Sequence, residues 1–168
     1  NTNGMLLERK IAQSLANHAG LTLSISLEAS QDLHDGLRGN GTHRKAVKGL
    51  TAGLDAGLNI IIFTIACKSA LPDLPRFAED LFTNYPGVKY LTLNRLVTSA
   101  NSHRVLEKEF LSPKDFVSLL RVVSVLNLID RPTTFLNEPL VNAVKRIANL
   151  TWIPESGALR CQGNLMVL

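Results

Sequence analysis

The sequence predicts an α/β protein built on a parallel sheet, and three observations predict it. Segments with helical spacing alternate with strand-like apolar runs along the 168 residues, the rhythm of strand–helix–strand crossovers. Gly57 to Cys67, "GLNIIIFTIAC", is apolar at nearly every position, as a parallel strand buried on both faces must be. Turn signals such as Gly20 and Gly39-Asn40-Gly41 fall between these segments, where glycine and asparagine cost least.

The elements follow in order. Met5 to His18 reads as a helix, with Leu7, Ile11 and Leu15 at helical spacing and Gly20 as its stop. Leu21 to Leu27 alternates, with Leu21, Leu23, Ile25 and Leu27 on one face and Thr22, Ser24 and Ser26 on the other. Glu28 to Gly41 reads as a loop. Thr42 suits an N-cap for a helix through Leu54, with Val47, Leu50 and Leu54 on its buried stripe. The second strand spans 58–66. Asp73 to Phe82 is amphipathic through Leu74, Phe77, Ala78, Leu81 and Phe82. Val88 to Val97 is a third strand. Ser112 then caps a helix with Pro113 in its first turn, striped by Phe116, Leu119, Leu120 and Val123. Pro139 starts a further helix through Leu150.

Such alternation gives parallel strands joined by right-handed crossovers. Two closures are open: a doubly wound sheet, or a (β/α) barrel. In either, ligands sit at the carboxyl ends of the strands. Ser24, Ser26 and Glu28 share the face opposite the aliphatic one, because strand side chains alternate. That polar face would look into a barrel, with Glu28 at its rim. Thr64, Asn94 and Arg95 are the matching positions on later strands. The plainer alternative is that the serines are satisfied strand residues and Glu28 caps a helix.

Composition excludes several classes. The chain is 45% hydrophobic and 19% charged, enough to bury a core. The net charge is +4, but its eighteen Lys and Arg are spread along the chain, without the clustering of a nucleic-acid footprint. Aromatic residues make up 5%, too few for base-stacking platforms. The longest apolar run is too short to span a bilayer, so neither nucleic acid nor membrane is expected as a partner, and a cytoplasmic location is expected. The two cysteines, Cys67 and Cys161, lie far apart and form no CxxC, which argues against a self-contained zinc site. The opening at Asn1 and the apolar close "NLMVL" lead to the expectation of a fragment with raw strand edges that self-associates or pairs with the remaining part of the same protein.

Four stretches carry a family resemblance, in the family's order: Thr2-Asn3-Gly4 ending a strand, Ser26-Leu27-Glu28, "HDGLRG" from His34 to Gly39, and "KAVKGLTAGLDAGLNI" leading into the next strand. The chain resembles the middle of a radical S-adenosylmethionine enzyme. "FLNEPLVNAVKRIANLTWIPESGALRCQGNLMVL" resembles the link to a SPASM-type C-terminal extension, which carries auxiliary iron–sulfur clusters. The resemblance implies a partial (β/α) barrel, parallel strands with helices on the outer face. Residues 1–130 would be its central part, and 131–168 the truncated link to the extension. It implies two cofactors, S-adenosylmethionine and an iron–sulfur cluster. Asn3, Ser26, Glu28, Arg38, Leu96 and Val97 would line the S-adenosylmethionine pocket. In it Ser26 and Glu28 meet the ribose hydroxyls, Arg38 the methionine carboxylate, and Leu96 and Val97 the adenine. His34 and Asp35 would hold the loop that aims Arg38. Cys161 would be the metal ligand, at the first auxiliary-cluster cysteine. Substrates in such a family are peptides or small cofactor precursors, here contacted by Ser24, Thr64 and Arg95.

The departures are equally plain. The family's CxxxCxxC and its Gly-Gly-Glu segment are absent, and Glu28 stands where aspartate is commoner. No residue of the chain is therefore expected to be catalytic by itself. Two rival readings follow: an inert barrel fragment serving as a scaffold or interaction module, and an unrelated barrel lyase using Glu28 with Lys68 or Arg95.

Overall fold

The computed structural model of the chain describes residues 1–96, 107–135 and Val141. Four parallel strands form one sheet: β1 (Thr22–Ser26), β2 (Asn59–Ala66), β3 (Val88–Arg95) and β4 (Thr133–Phe135). Their spatial order is β1-β2-β3-β4, identical to their sequence order. Among the described residues these helices connect and precede them: α1 (Arg9–Ala16), α2 (Gln31–Arg38), α3 (Thr42–Asp55), α4 (Leu74–Asn84) and α5 (Pro113–Leu128). A short 3₁₀ turn, Glu107–Glu109, precedes α5.

The sheet continues one step past β1. Thr2 bridges Ile25 in parallel: the Thr2 amide donates to the Ser24 carbonyl (2.9 Å), and the Ser26 amide donates to the Thr2 carbonyl (3.0 Å). Among the described residues every crossover thus steps in the same direction. Right-handed connections then put successive helices on one face.

The register separates the two faces. Ile25, Ile62 and Leu91 stand in line, and Leu23 lines up with Ile60. This face meets the helices: a methyl at Gly53 of α3 would touch Ile60 (2.7 Å to Cδ1). Leu50 of α3, Leu74 and Leu81 of α4, and Leu119 and Val123 of α5 complete the core. The opposite face carries Ser24 and Ser26, then Phe63 and Ile65, then Thr92 and Asn94. Thr64 and Arg95 are corrected by this register. Both fall on the helix side, Thr64 fully buried and Arg95 with its guanidinium 5.6 Å from the Phe116 ring of α5.

Other differences have local causes. Helix α1 starts at Arg9, later than the periodicity from Met5 suggests. Gly4, at φ +74°, turns the chain first, and the Leu7 amide bonds the Gly4 carbonyl (3.1 Å). Ile11 is consequently 47% exposed, and Ala12 takes the buried position. Residues 31–38 form a helix where a loop was expected: the Ser30 hydroxyl caps it by accepting the Leu33 amide (3.3 Å). Thr42 is the first residue of α3, and Gly41, at φ +76°, occupies the cap position. The expected cap on α5 is present as a full capping box between Ser112 and Asp115. β4 begins just past residue 130, so the sheet extends into the 131–168 segment. Val141 is helical and buried in the core; the rest of the helix expected over 139–150 lies outside the described residues, as does Val97.

Candidate functional site

The carboxyl ends of β1, β2 and β3 lie side by side in a parallel ladder, and the chemistry-bearing residues gather there. Two residues past β1, Glu28 is fully buried. A carboxylate in that position needs donors for both oxygens, and it has them. Arg38, at the end of α2, donates from Nε (2.9 Å) and Nη2 (2.6 Å) to Oε1. Thr64 Oγ1 (3.1 Å) and the Ile65 amide (2.8 Å) donate to Oε2. Glu28 therefore ties β1, β2 and α2 together, and the Arg38 side chain remains 27% exposed beyond it.

The next turn of α2 is fixed by two more groups. His34 is buried, and its Nδ1 accepts the Glu28 amide (3.2 Å). Nδ1 must then be unprotonated, so the neutral ring carries its proton on Nε2. His43 meets it edge-on at 5.4 Å. Burial is the main cause that pulls the His34 pKa down, helped by the Arg38 charge. Asp35 accepts the His43 amide (2.8 Å) and the Gly41 amide (2.9 Å). It thereby satisfies amides at the start of α3 that Thr42 does not cap, and these bonds hold its own pKa down. His34 thus ties α2 to the end of β1, and Asp35 ties it to the start of α3, on either side of Arg38.

These shifts set a pH response. A histidine with a lowered folded-state pKa takes up its proton more readily in the unfolded chain. Its contribution is complete above about pH 6.5 and is lost as the pH falls below that. His43 is shifted the same way, chiefly by burial. Urea titrations between pH 8 and 5 should show stability falling below pH 6.5. His34→Asn keeps an acceptor for the Glu28 amide without the titration, and should flatten part of the slope. A flat wild-type profile would contradict the His34 geometry.

Beside the pair lies a cleft of about 190 Å³. Leu33, Gly36 and Leu37 of α2 form one wall, and Ile65 and Leu96 form the other. Asp32, Cys67, Ser69 and Glu109 supply its polar groups. Glu109 Oε2 accepts the Ser69 amide (2.9 Å) and hydroxyl (2.6 Å), clamping the turn after β2 to the 3₁₀ turn. Cys67 is a buried free thiol whose pKa is pushed up, mainly by burial. Nothing in the sequence pattern pairs Ser69 with Glu109, which is forty residues downstream.

Of the sequence-derived site residues, Glu28, Arg38 and Leu96 come together at this end of the sheet. Ser26 is close to them on the face opposite Ile25 and Ile62, and is largely buried. Asn3 sits in the exposed turn after Thr2, its Oδ1 accepting the Met5 amide (3.1 Å). Val97 and Cys161 lie outside the described residues. Among the described residues no group of three or more His, Cys, Asp or Glu side chains could hold a metal ion, and no helix is long and apolar enough to cross a membrane. Compared with known proteins, the chain matches no family model and no curated sequence.

Proposed function

We propose that the chain is the central part of a partial (β/α) barrel of the radical S-adenosylmethionine type, running into a SPASM-like extension after residue 130. Its part is the ribose- and carboxylate-binding side of an S-adenosylmethionine pocket, in an enzyme that modifies a peptide or cofactor precursor. The observation that carries this reading is the uninterrupted parallel order Thr2-β1-β2-β3-β4. A sheet that never reverses keeps its helices on one face and leaves the polar face for an interior, as in a barrel. The same order brings Asn3, Ser26, Arg38 and Leu96 to the carboxyl end, where such folds bind ligands.

The fit differs between the two cofactors. Arg38 has N–H groups without a partner among the described residues, and partial exposure, suited to a carboxylate. The adjoining cleft is walled by leucine and isoleucine, suited to a flat base. At about 190 Å³ it takes a base-sized group, short of the roughly 300 Å³ from which whole-ligand pockets start. An iron–sulfur cluster does not fit. It takes about three or four thiolates, whereas this chain has Cys67, buried with a raised pKa, and Cys161.

The test is equilibrium dialysis of radiolabelled S-adenosylmethionine against the full chain. Saturable binding competed by adenosine is expected. Absence of binding to any adenosyl compound would favour the scaffold reading, which the full satisfaction of Glu28 by Arg38, Thr64 and Ile65 supports.

A further inference from the structure

We propose that Glu28 is a positioning residue that presents Arg38, and that it does not touch the ligand. This rests on the reading above and reverses the ribose contact that the resemblance implies for Glu28. A carboxylate offers about four lone-pair sites. In Glu28 two are filled by Arg38 and two by Thr64 and Ile65. The side chain is fully buried. A ribose hydroxyl would be a fifth donor to an acceptor that no solvent reaches.

Arg38 is the complementary case. A guanidinium carries five N–H groups in one plane. Glu28 takes one from Nε and one from Nη2, both onto the same oxygen. The remaining edge, Nη1 and the second Nη2 proton, has no partner among the described residues. The side chain is 27% exposed, against none for Glu28. Glu28 thus pins the plane of the guanidinium and turns one edge outward. It also cancels most of the charge, so the free edge would recognise an anion by direction rather than by long-range attraction. Such an edge suits a single carboxylate held by two parallel hydrogen bonds. In this reading it is the carboxylate of an amino acid joined to adenosine, with the base directed to the neighbouring cleft.

Two thioethers separate the possibilities without a change in sulfur charge. S-adenosylhomocysteine carries the amino-acid carboxylate; 5′-methylthioadenosine carries the same adenosine without it. Glu28→Gln is close in shape but loses the charge that fixes Arg38. Dialysis of both compounds against the full chain should show about tenfold weaker binding of S-adenosylhomocysteine to Glu28→Gln, roughly 1.4 kcal/mol. Methylthioadenosine should stay within about twofold. Thr64→Val, which removes one anchor of Glu28 and no charge, should weaken the first compound alone and to a smaller degree. Equal weakening of both compounds would mean that Glu28 contacts the ribose; no change in either would uncouple Glu28 from the site. Both results overturn the proposal. The Arg38 Nε–H resonance supplies a readout independent of any ligand. It should be protected from water exchange in the wild type and exchange rapidly in Glu28→Gln. An unprotected wild-type resonance would refute the positioning role. A wild type that binds neither compound but keeps that resonance protected would instead refute the functional reading.

Discussion

Arg38→Ala should cost the fold about 3 kcal/mol, the low end of the range of roughly 3–5 kcal/mol seen when one partner of a buried ion pair is removed. The low end applies because the Arg38 side chain keeps some water contact, with 27% of its surface exposed. The cost arises at Glu28, not at Arg38. Without the guanidinium, a fully buried carboxylate keeps only the Thr64 hydroxyl and the Ile65 amide, and its charge is uncompensated. Against a typical domain stability of about 5–15 kcal/mol, such a loss removes a large share of the margin. The attribution can be checked with Glu28→Gln. Combined with Arg38→Ala, it removes the stranded charge, so the double variant should be more stable than Arg38→Ala alone. Urea unfolding of the wild type, both single variants and the double variant gives the coupling directly. If the double variant is no more stable than Arg38→Ala, burial of the Glu28 charge is not what the pair compensates.

The same pair shows how much of the molecule could be read from the chain. Two of the long strands were legible from their patterns: alternation in Leu21–Leu27, and in β2 a continuous apolar run whose short length and flanking Gly57 set it apart from a helix. The sharing of faces in β1 was legible for the same reason, and the serines do lie opposite the helix-packed residues. Helix α2 was not legible. Its eight residues include Gly36 and offer only Leu33 and Leu37 as an apolar pair, too short a stretch for periodicity. The three-residue β4 has no period at all. Glu28 and Arg38 could be picked out individually, but not as partners, because they become neighbours only once α2 is a helix that ends beside the strand. Thr64 was given to the interior, since an apolar run buried on both faces does not reveal which residues face the helices. The register with Leu93 decides it.

Gly49→Ala should have the second large effect, and it reports on the approach of α3 to the sheet edge. A methyl at Gly49 would collide with the carbonyl oxygen of Gly4 and crowd the Leu7 Cβ at 3.3 Å. The obstacle is backbone, so it cannot swing aside as a side chain would. Gly4 has little freedom of its own: its φ is +74°, and a side chain there would press on Ile25, 3.0 Å from its Cγ2. Its carbonyl also accepts the Leu7 amide (3.1 Å). Relief requires α3 to move off the sheet or the Thr2–Leu7 turn to shift. Overpacking of this kind typically costs about 1–3 kcal/mol, occasionally more, and a backbone contact belongs at the upper end. Alanine returns about 1 kcal/mol of helix propensity, leaving an expected net loss near 2 kcal/mol. Gly53→Ala, on the same helix, meets chiefly the movable tip of Ile60 and should cost less. Gly36→Ala, with open space around the new methyl, should stabilise α2 by about 0.5–1 kcal/mol. Denaturation midpoints of the three variants test the ranking. If Gly49→Ala is as stable as the wild type, α3 does not sit against Gly4. The turn that carries Thr2 onto β1, and with it the fifth position in the sheet order, would then lose its support.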